Sequence, residues 1–173
     1  MTLVPDDKDW TWVLERKCDE CGFDAAAVAA TSVAQMTRDA SDSWFDVLTT
    51  RADVHARPQP QVWSPLEYGC HVRDVYRVYT GRLQRMLSED GPHYDNWDQD
   101  ETALASGYGG QDPTTVANEL VGAGTAIARV FDSVEGDQWQ RTGFRSDGAA
   151  FTVDTISRYF IHDIVHHLHD VGA

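Results

Sequence analysis

The stretch Phe160-Ile-His-Asp-Ile-Val-His-His-Leu-His-Asp-Val171 holds four of the chain's seven histidines, and its spacing turns composition into geometry. Each residue of an α-helix turns by about 100°, so residues four or seven apart lie nearly above one another. His162, His166 and His169 therefore share one stripe, while His167 points away. Two imidazoles at i and i+4 can reach one metal ion, as in helical zinc motifs. A solvated histidine cluster is the plain alternative. Against it, the adjoining arc of Ile161, Ile164, Val165, Leu168 and Val171 is apolar, so the histidines border a core face. His71 is the third candidate ligand. It falls in the stripe Tyr68, His71, Val75, Val78, Tyr79, Leu83 and Met86 of a helix expected over 64–89. A lone histidine there is more often a hydrogen-bonded core residue. A bundle that buries both stripes, however, could bring it to His162 and His166. The zinc-protease pattern HExxH is rejected, because Asp163 rather than glutamate follows His162.

Three neutral imidazoles leave the charge of a zinc ion uncompensated and one tetrahedral position open, the mark of a catalytic site. Nickel or iron would also accept such ligands. A thiol entering the open position loses its proton. The thiolate is the nucleophile, and a free pKa near ~8.5 leaves only a small part ionised at neutral pH. Arg158, four residues before His162, is expected to project toward the same cavity as a carboxylate clamp, with an ion pair as the competing reading. Tyr159 is placed close by as a hydrogen-bond donor. Asp74, Asp163 and Asp170 could orient imidazole N–H groups. Two other readings stay open. In a non-catalytic binding module, Glu67 could fill the fourth position. In a metal-dependent hydrolase, a base is needed, for which Asp163 is the test case.

The elements that must position these residues form an all-α, four-helix bundle over 1–173. An irregular arm, 1–23, carries Trp10, Trp12 and Leu14. The first helix is expected from the N-cap Asp24, with Val28, Val33, Met36, Ala40, Phe45 and Leu48 inward. Ser64, Pro65 and Glu67 compose a capping box for the second. Residues 90–112, rich in glycine and acids, read as a long crossover without an element of its own. Asp112-Pro113 opens the third helix, and Gly136 ends it. A short β-hairpin over 139–153, turning at Asp147-Gly148, precedes the fourth, which starts near Thr152.

Helix order, the early-helix histidine in Trp63-Ser-Pro-Leu-Glu-Tyr-Gly-Cys-His71, and HxxxH on the fourth helix together resemble the DinB/YfiT-like bundle superfamily. The resemblance covers nearly everything from Asp24 onward. It implies a divalent metal, zinc above nickel or iron, on His71, His162 and His166. It also implies a detoxification activity: an S-transferase joining a low-molecular-weight thiol (mycothiol, bacillithiol or glutathione) to a small electrophile, with the acidic, Trp-, Asp- and Arg-rich composition favouring mycothiol. The mycothiol-dependent maleylpyruvate isomerases of that family are longer, so their isomerisation is not carried over.

A formal charge of −14 argues against nucleic acid and anionic membranes, because no Lys/Arg cluster is present to meet phosphate. Apolar runs fall short of a membrane span and the N-terminus lacks a signal-peptide core, so a cytoplasmic protein is expected. Small bundles often pair, so a homodimer is compatible, although no interface can be read. Of the three cysteines, Cys18 and Cys21 form a CxxC. Without a second CxxC this is a weak zinc signal, and free thiols are expected.

Overall fold

The computed structural model describes residues 10–173. Four long helices make the bundle: α1 (Val33–Thr50), α2 (Pro65–Ser88), α4 (Pro113–Asp132) and α5 (Val153–Asp170). A short α3 (Gln99–Ala105) sits in the link between α2 and α4. α4 packs along both α1 and α2, and α5 rests on the same two helices without comparable contact to α4. The buried centre is aromatic and branched: Trp44 of α1, Leu66 and Tyr76 of α2, Leu120 and Ile127 of α4, and Phe160, Ile161 and Ile164 of α5. Phe160 lies 5.4–5.8 Å from the rings of Tyr76, Tyr79 and Phe131, tying three helices together. Gly124 lets α4 approach closely, since a Cβ there would stand 2.3 Å from Ser41 Oγ and 2.9 Å from Tyr76.

Helix starts follow local chemistry. Ser64 Oγ accepts the Glu67 amide while Glu67 Oε2 accepts the Ser64 amide, the reciprocal cap expected for α2. Asp112 accepts the Thr115 amide ahead of Pro113, and Thr152 does the same for Thr155 at the start of α5. α1 begins later than expected. Asp24 caps only a single 3-10 turn, Ala25–Ala27, because Val28 and Ala29 are extended. The short turns 25–27 and 30–32 instead lie against α5. The inward stripe of α1 accordingly centres on Trp44, with Met36 and Phe45 only partly buried.

The link 90–112 is also more structured than expected. It contains β1 (His93–Tyr94), α3 with Asp98 as its cap, and a 3-10 turn at Tyr108–Gly110. The hairpin forms as β2 (Thr142–Arg145) and β3 (Ala150–Thr152), with Gly148 at φ 93° in the turn. β1 adds to β2 in parallel, giving the sheet order β1-β2-β3. This sheet ties the α2–α3 link to the start of α5 and so builds one wall of the site. Among the described residues no helix is long and apolar enough to cross a membrane. The N-terminal residues read as lacking a signal-peptide core and the start of the arm, residues 1–9, lie outside the described residues.

Candidate metal centre

The segment His162-Asp163-Ile-Val-His166-His167 contains two overlapping i, i+4 pairs, and α5 presents them on adjacent faces. Asp163 and His167 turn toward α2 and meet His71; their ligand atoms all lie within 4.8 Å of one another. His162 and His166 turn toward the N-terminal segment and meet Cys18 and Cys21 within the same limit. The expected set of His71, His162 and His166 is thus divided between two groups. His167, read as pointing away, belongs to the group with His71.

His71 is 1% exposed, and neither ring nitrogen has a hydrogen-bond partner. Such a buried polar ring is costly unless something else satisfies it. Its Nε2 lies 3.6 Å from Asp163 Oδ2, and His167 Nε2 lies 3.3 Å from Asp163 Oδ1. The His71 ring is held between Trp97, stacked at 5.5 Å, and Trp63 at 5.3 Å. Trp97 comes from the link, anchored by its Nε1 donating to Thr102 Oγ1 at 2.8 Å. Asp170 Oδ2 stands 2.9 Å from His167 Nδ1 and fixes that ring. Burial pushes the His71 pKa down, keeping its imidazole neutral. Burial also opposes charge on Asp163 and His167, yet each stabilises the other's ionised form: Asp163 is held well below the usual carboxylate range and His167 is raised. A divalent cation fits this set of two imidazoles and one carboxylate.

In the second group His162 is 3% exposed and its Nε2 is buried without a partner. Burial, reinforced by neighbouring His166, pushes its pKa down to about 4. Cys18 Sγ lies 3.7 Å from His166 Nδ1, while His166 Nε2 faces Glu20 at 3.5 Å and Asp170 Oδ1 at 3.6 Å. Trp10 packs on both rings, 5.7 Å from His162 and 5.0 Å from His166. All three cysteines are free thiols.

Both groups border a cavity of about 630 Å³. Its walls include Trp10, Trp97, Arg82, Arg145 and Tyr159 together with His71, His162, Asp163, His166 and His167. Arg82 is held between Tyr79 and Tyr94 and donates to the Asp95 carbonyl at 3.0 Å. Arg145 pairs with Asp147 at 2.7 Å and reaches Tyr159 Oη at 3.4 Å.

Tyr159, the expected donor near His162, lines this cavity and accepts from Arg145. Arg158 takes the competing reading, an ion pair: it meets Asp154 at 3.0 Å and donates to the Ala25 carbonyl at 3.3 Å. Its guanidinium meets the N-terminal segment at Ala25 and is not part of the cavity wall. Asp74 is engaged by Arg73, Arg77 and the Tyr108 hydroxyl, away from the imidazole nitrogens it was expected to orient. Glu67 is bound by Arg57 and the Ser64 amide beside a separate small cavity, so it is not available as a fourth ligand. His169 is exposed.

A family model of the DinB superfamily matches residues 34–171, most of the chain. The chain belongs to the DinB superfamily. Its fold is similar to that of YfiT from Bacillus subtilis, with a TM-score of 0.72 and 14% identity over 81% of this chain and 82% of that one. YfiT is described as a probable metal-dependent hydrolase with an unusual four-helix bundle topology. At that identity the likeness speaks to the fold alone, and it agrees with the helical arrangement of this DinB protein. Among curated proteins no sequence matches the chain.

Proposed function

We propose that this DinB protein is a metal-dependent S-transferase that joins a low-molecular-weight thiol, mycothiol by family resemblance, to a small electrophile. The observation that carries the reading is the group His71, Asp163 and His167 on the wall of a cavity of about 630 Å³. Zinc suits three such protein ligands with a position left for a small molecule; iron and nickel are the other candidates. A divalent ion held there supplies positive charge that lets a thiol lose its proton near neutral pH.

The chain's own residues do the rest. Asp163 contributes the negative charge, His71 contributes a neutral imidazole, and His167, held protonated beside Asp163, would become a neutral donor on releasing its proton to solvent as the ion binds. Asp170 and the two tryptophans fix the rings before ligand arrives, which lowers the ordering cost of binding. Carboxylates and carboxamides of the link and α3, Asn96, Asp98, Gln99 and Asp100, line the cavity and suit the hydroxyls of a polyol thiol. Arg145 and Tyr159 offer N–H and O–H donors to the charge that develops on the electrophile as the S–C bond forms. The thiol proton leaves to solvent, and the electron pair of the broken bond leaves with the departing group.

Metal-dependent hydrolysis, the activity attributed to YfiT, would use the same group with water. Asp163 lies within the ligand group and is not free to serve as a separate base. The test is conjugation of mycothiol to a bimane or nitroaryl electrophile by protein stripped with chelator and then reloaded. Activity should vanish on stripping, return with zinc, iron or nickel, and be lost together with one metal equivalent in His71→Ala and His167→Ala. Full conjugation by stripped protein would sink the reading. Metal-dependent ester hydrolysis without conjugation would replace it with hydrolysis.

A further inference from the structure

The CxxC finds its second half on α5. We infer that Cys18, Cys21, His162 and His166 hold a second divalent ion, zinc, as a closed four-ligand clamp distinct from the group around His71. The spacing, C-x2-C followed far along the chain by H-x3-H, is that of tetrahedral zinc sites. The four ligand atoms lie within 4.8 Å of one another. Zinc bonds of about 2.0–2.3 Å set tetrahedral ligand separations of roughly 3.3–3.8 Å. The 3.7 Å between Cys18 Sγ and His166 Nδ1 already falls within that range.

Three further observations converge on the same centre. The Cys18–Phe23 loop is folded as a tight knuckle: the Cys18 amide donates to the Phe23 carbonyl at 2.8 Å, and the Gly22 amide to the Cys18 carbonyl at 2.9 Å. Gly22, directly after the second cysteine, takes φ 77°, a left-handed turn that glycine adopts without strain. His162 Nε2 is buried and unpartnered, a lone pair that zinc would satisfy. His166 presents Nδ1 to Cys18 while its Nε2 faces the carboxylates of Glu20 at 3.5 Å and Asp170 at 3.6 Å, so the ring is oriented with Nδ1 inward.

Two thiolates and two imidazoles fill a tetrahedron, so this site holds structure rather than activating substrate. Binding replaces two S–H bonds with two S–Zn bonds and releases two protons to solvent. The clamp fastens the knuckle to α5 and sets Trp10 against His162 and His166 as a wall of the cavity. The inference does not depend on the proposed S-transferase activity.

Full-length protein without a polyhistidine tag, stripped and reloaded with cobalt, tests it. Two ions per chain are expected, with near-ultraviolet thiolate-to-cobalt charge-transfer absorption. Cys18→Ser/Cys21→Ser should bind one ion and lose that absorption, whereas His71→Ala should bind one ion and keep it. If the double variant fails to fold, Cys21→Ser alone should raise the cobalt dissociation constant of this site at least tenfold and weaken the band. Cobalt-saturated unaltered protein without thiolate absorption would overturn the clamp, as would an unchanged affinity and band in Cys21→Ser. Loss of metal from the His71 group alone would overturn only the S-transferase site.

Discussion

Asp170 Oδ2 lies 2.9 Å from His167 Nδ1, while Oδ1 of the same carboxylate lies 3.6 Å from His166 Nε2. One side chain thereby supports an imidazole of each group. Carboxylates that orient ligating histidines are typically worth about 10–100-fold in metal affinity. Asp170→Ala should therefore weaken both ions by factors in that range, read as a lower chelator concentration for half-release. A loss confined to one ion would show that the carboxylate serves only one ring.

Glu67 and Arg57 give a pH-dependent contribution remote from the metal groups. Burial by itself raises the Glu67 pKa, yet the Arg57 guanidinium and Ser64 hold it below the ordinary carboxylate range. A folded-state pKa below the unfolded value means stability that is fully present above the unfolded value and lost as pH falls through the folded one. At neutral pH Glu67→Gln should cost about 1–3 kcal/mol. The gap to the unaltered protein should narrow as pH falls below about 4, the unfolded carboxylate range. Urea titrations of both proteins at pH 7 and pH 3 check this, and an unchanged gap at pH 3 would refute it.

Arg158 serves the fold rather than the chemistry, because its guanidinium joins Asp154 to the Ala25 carbonyl. Arg158→Ala should lower stability by about 1–2 kcal/mol. Its kcat and KM for conjugation should stay within about twofold of the unaltered protein, a change under 0.5 kcal/mol. A large selective rise in KM would restore it to the substrate site.

Gly124 marks a close approach of α4 to α1 and α2. A methyl group there meets Ser41 Oγ at 2.3 Å and Tyr76 Cε2 at 2.9 Å, both in the packed interior. Gly124→Ala gains helix propensity but should still lose about 1–3 kcal/mol through overpacking. Thermal denaturation would show the loss, and Ser41→Ala in the same chain should recover part of it.

The long elements were legible because their signals are local. Ser64-Pro65 with Glu67, Asp112-Pro113 and Asp147-Gly148 mark caps and turns that need no tertiary information. The late start of α1 was not legible, since Asp24 is a good cap whether one turn or many follow. The ligand sets were legible in type and ambiguous in phase. His162/His166 and Asp163/His167 have the same spacing one residue apart, and a helical wheel cannot say which pair faces α2. That choice is made by the packing of α5 against α1, α2 and the N-terminal segment. Trp97 escaped notice because the link that delivers it has little sequence signal of its own, while Arg82 on α2 and Arg145 on β2 belong to elements that were legible but carry no spacing that marks a cavity wall.

His166 and His167 are neighbours on one rigid helix and face different ligand groups, so α5 works as an axle. Side-chain nitrogens stand well outside the ~2.3 Å radius of the Cα cylinder. Turning the helix by ten degrees would therefore sweep them through about 1 Å, against a tolerance near ±0.2 Å for a metal bond. Whichever group closes first sets the angle of the axle for the other. Filling one centre thus spares the second part of its alignment cost, and the two ions should load cooperatively although they share no ligand.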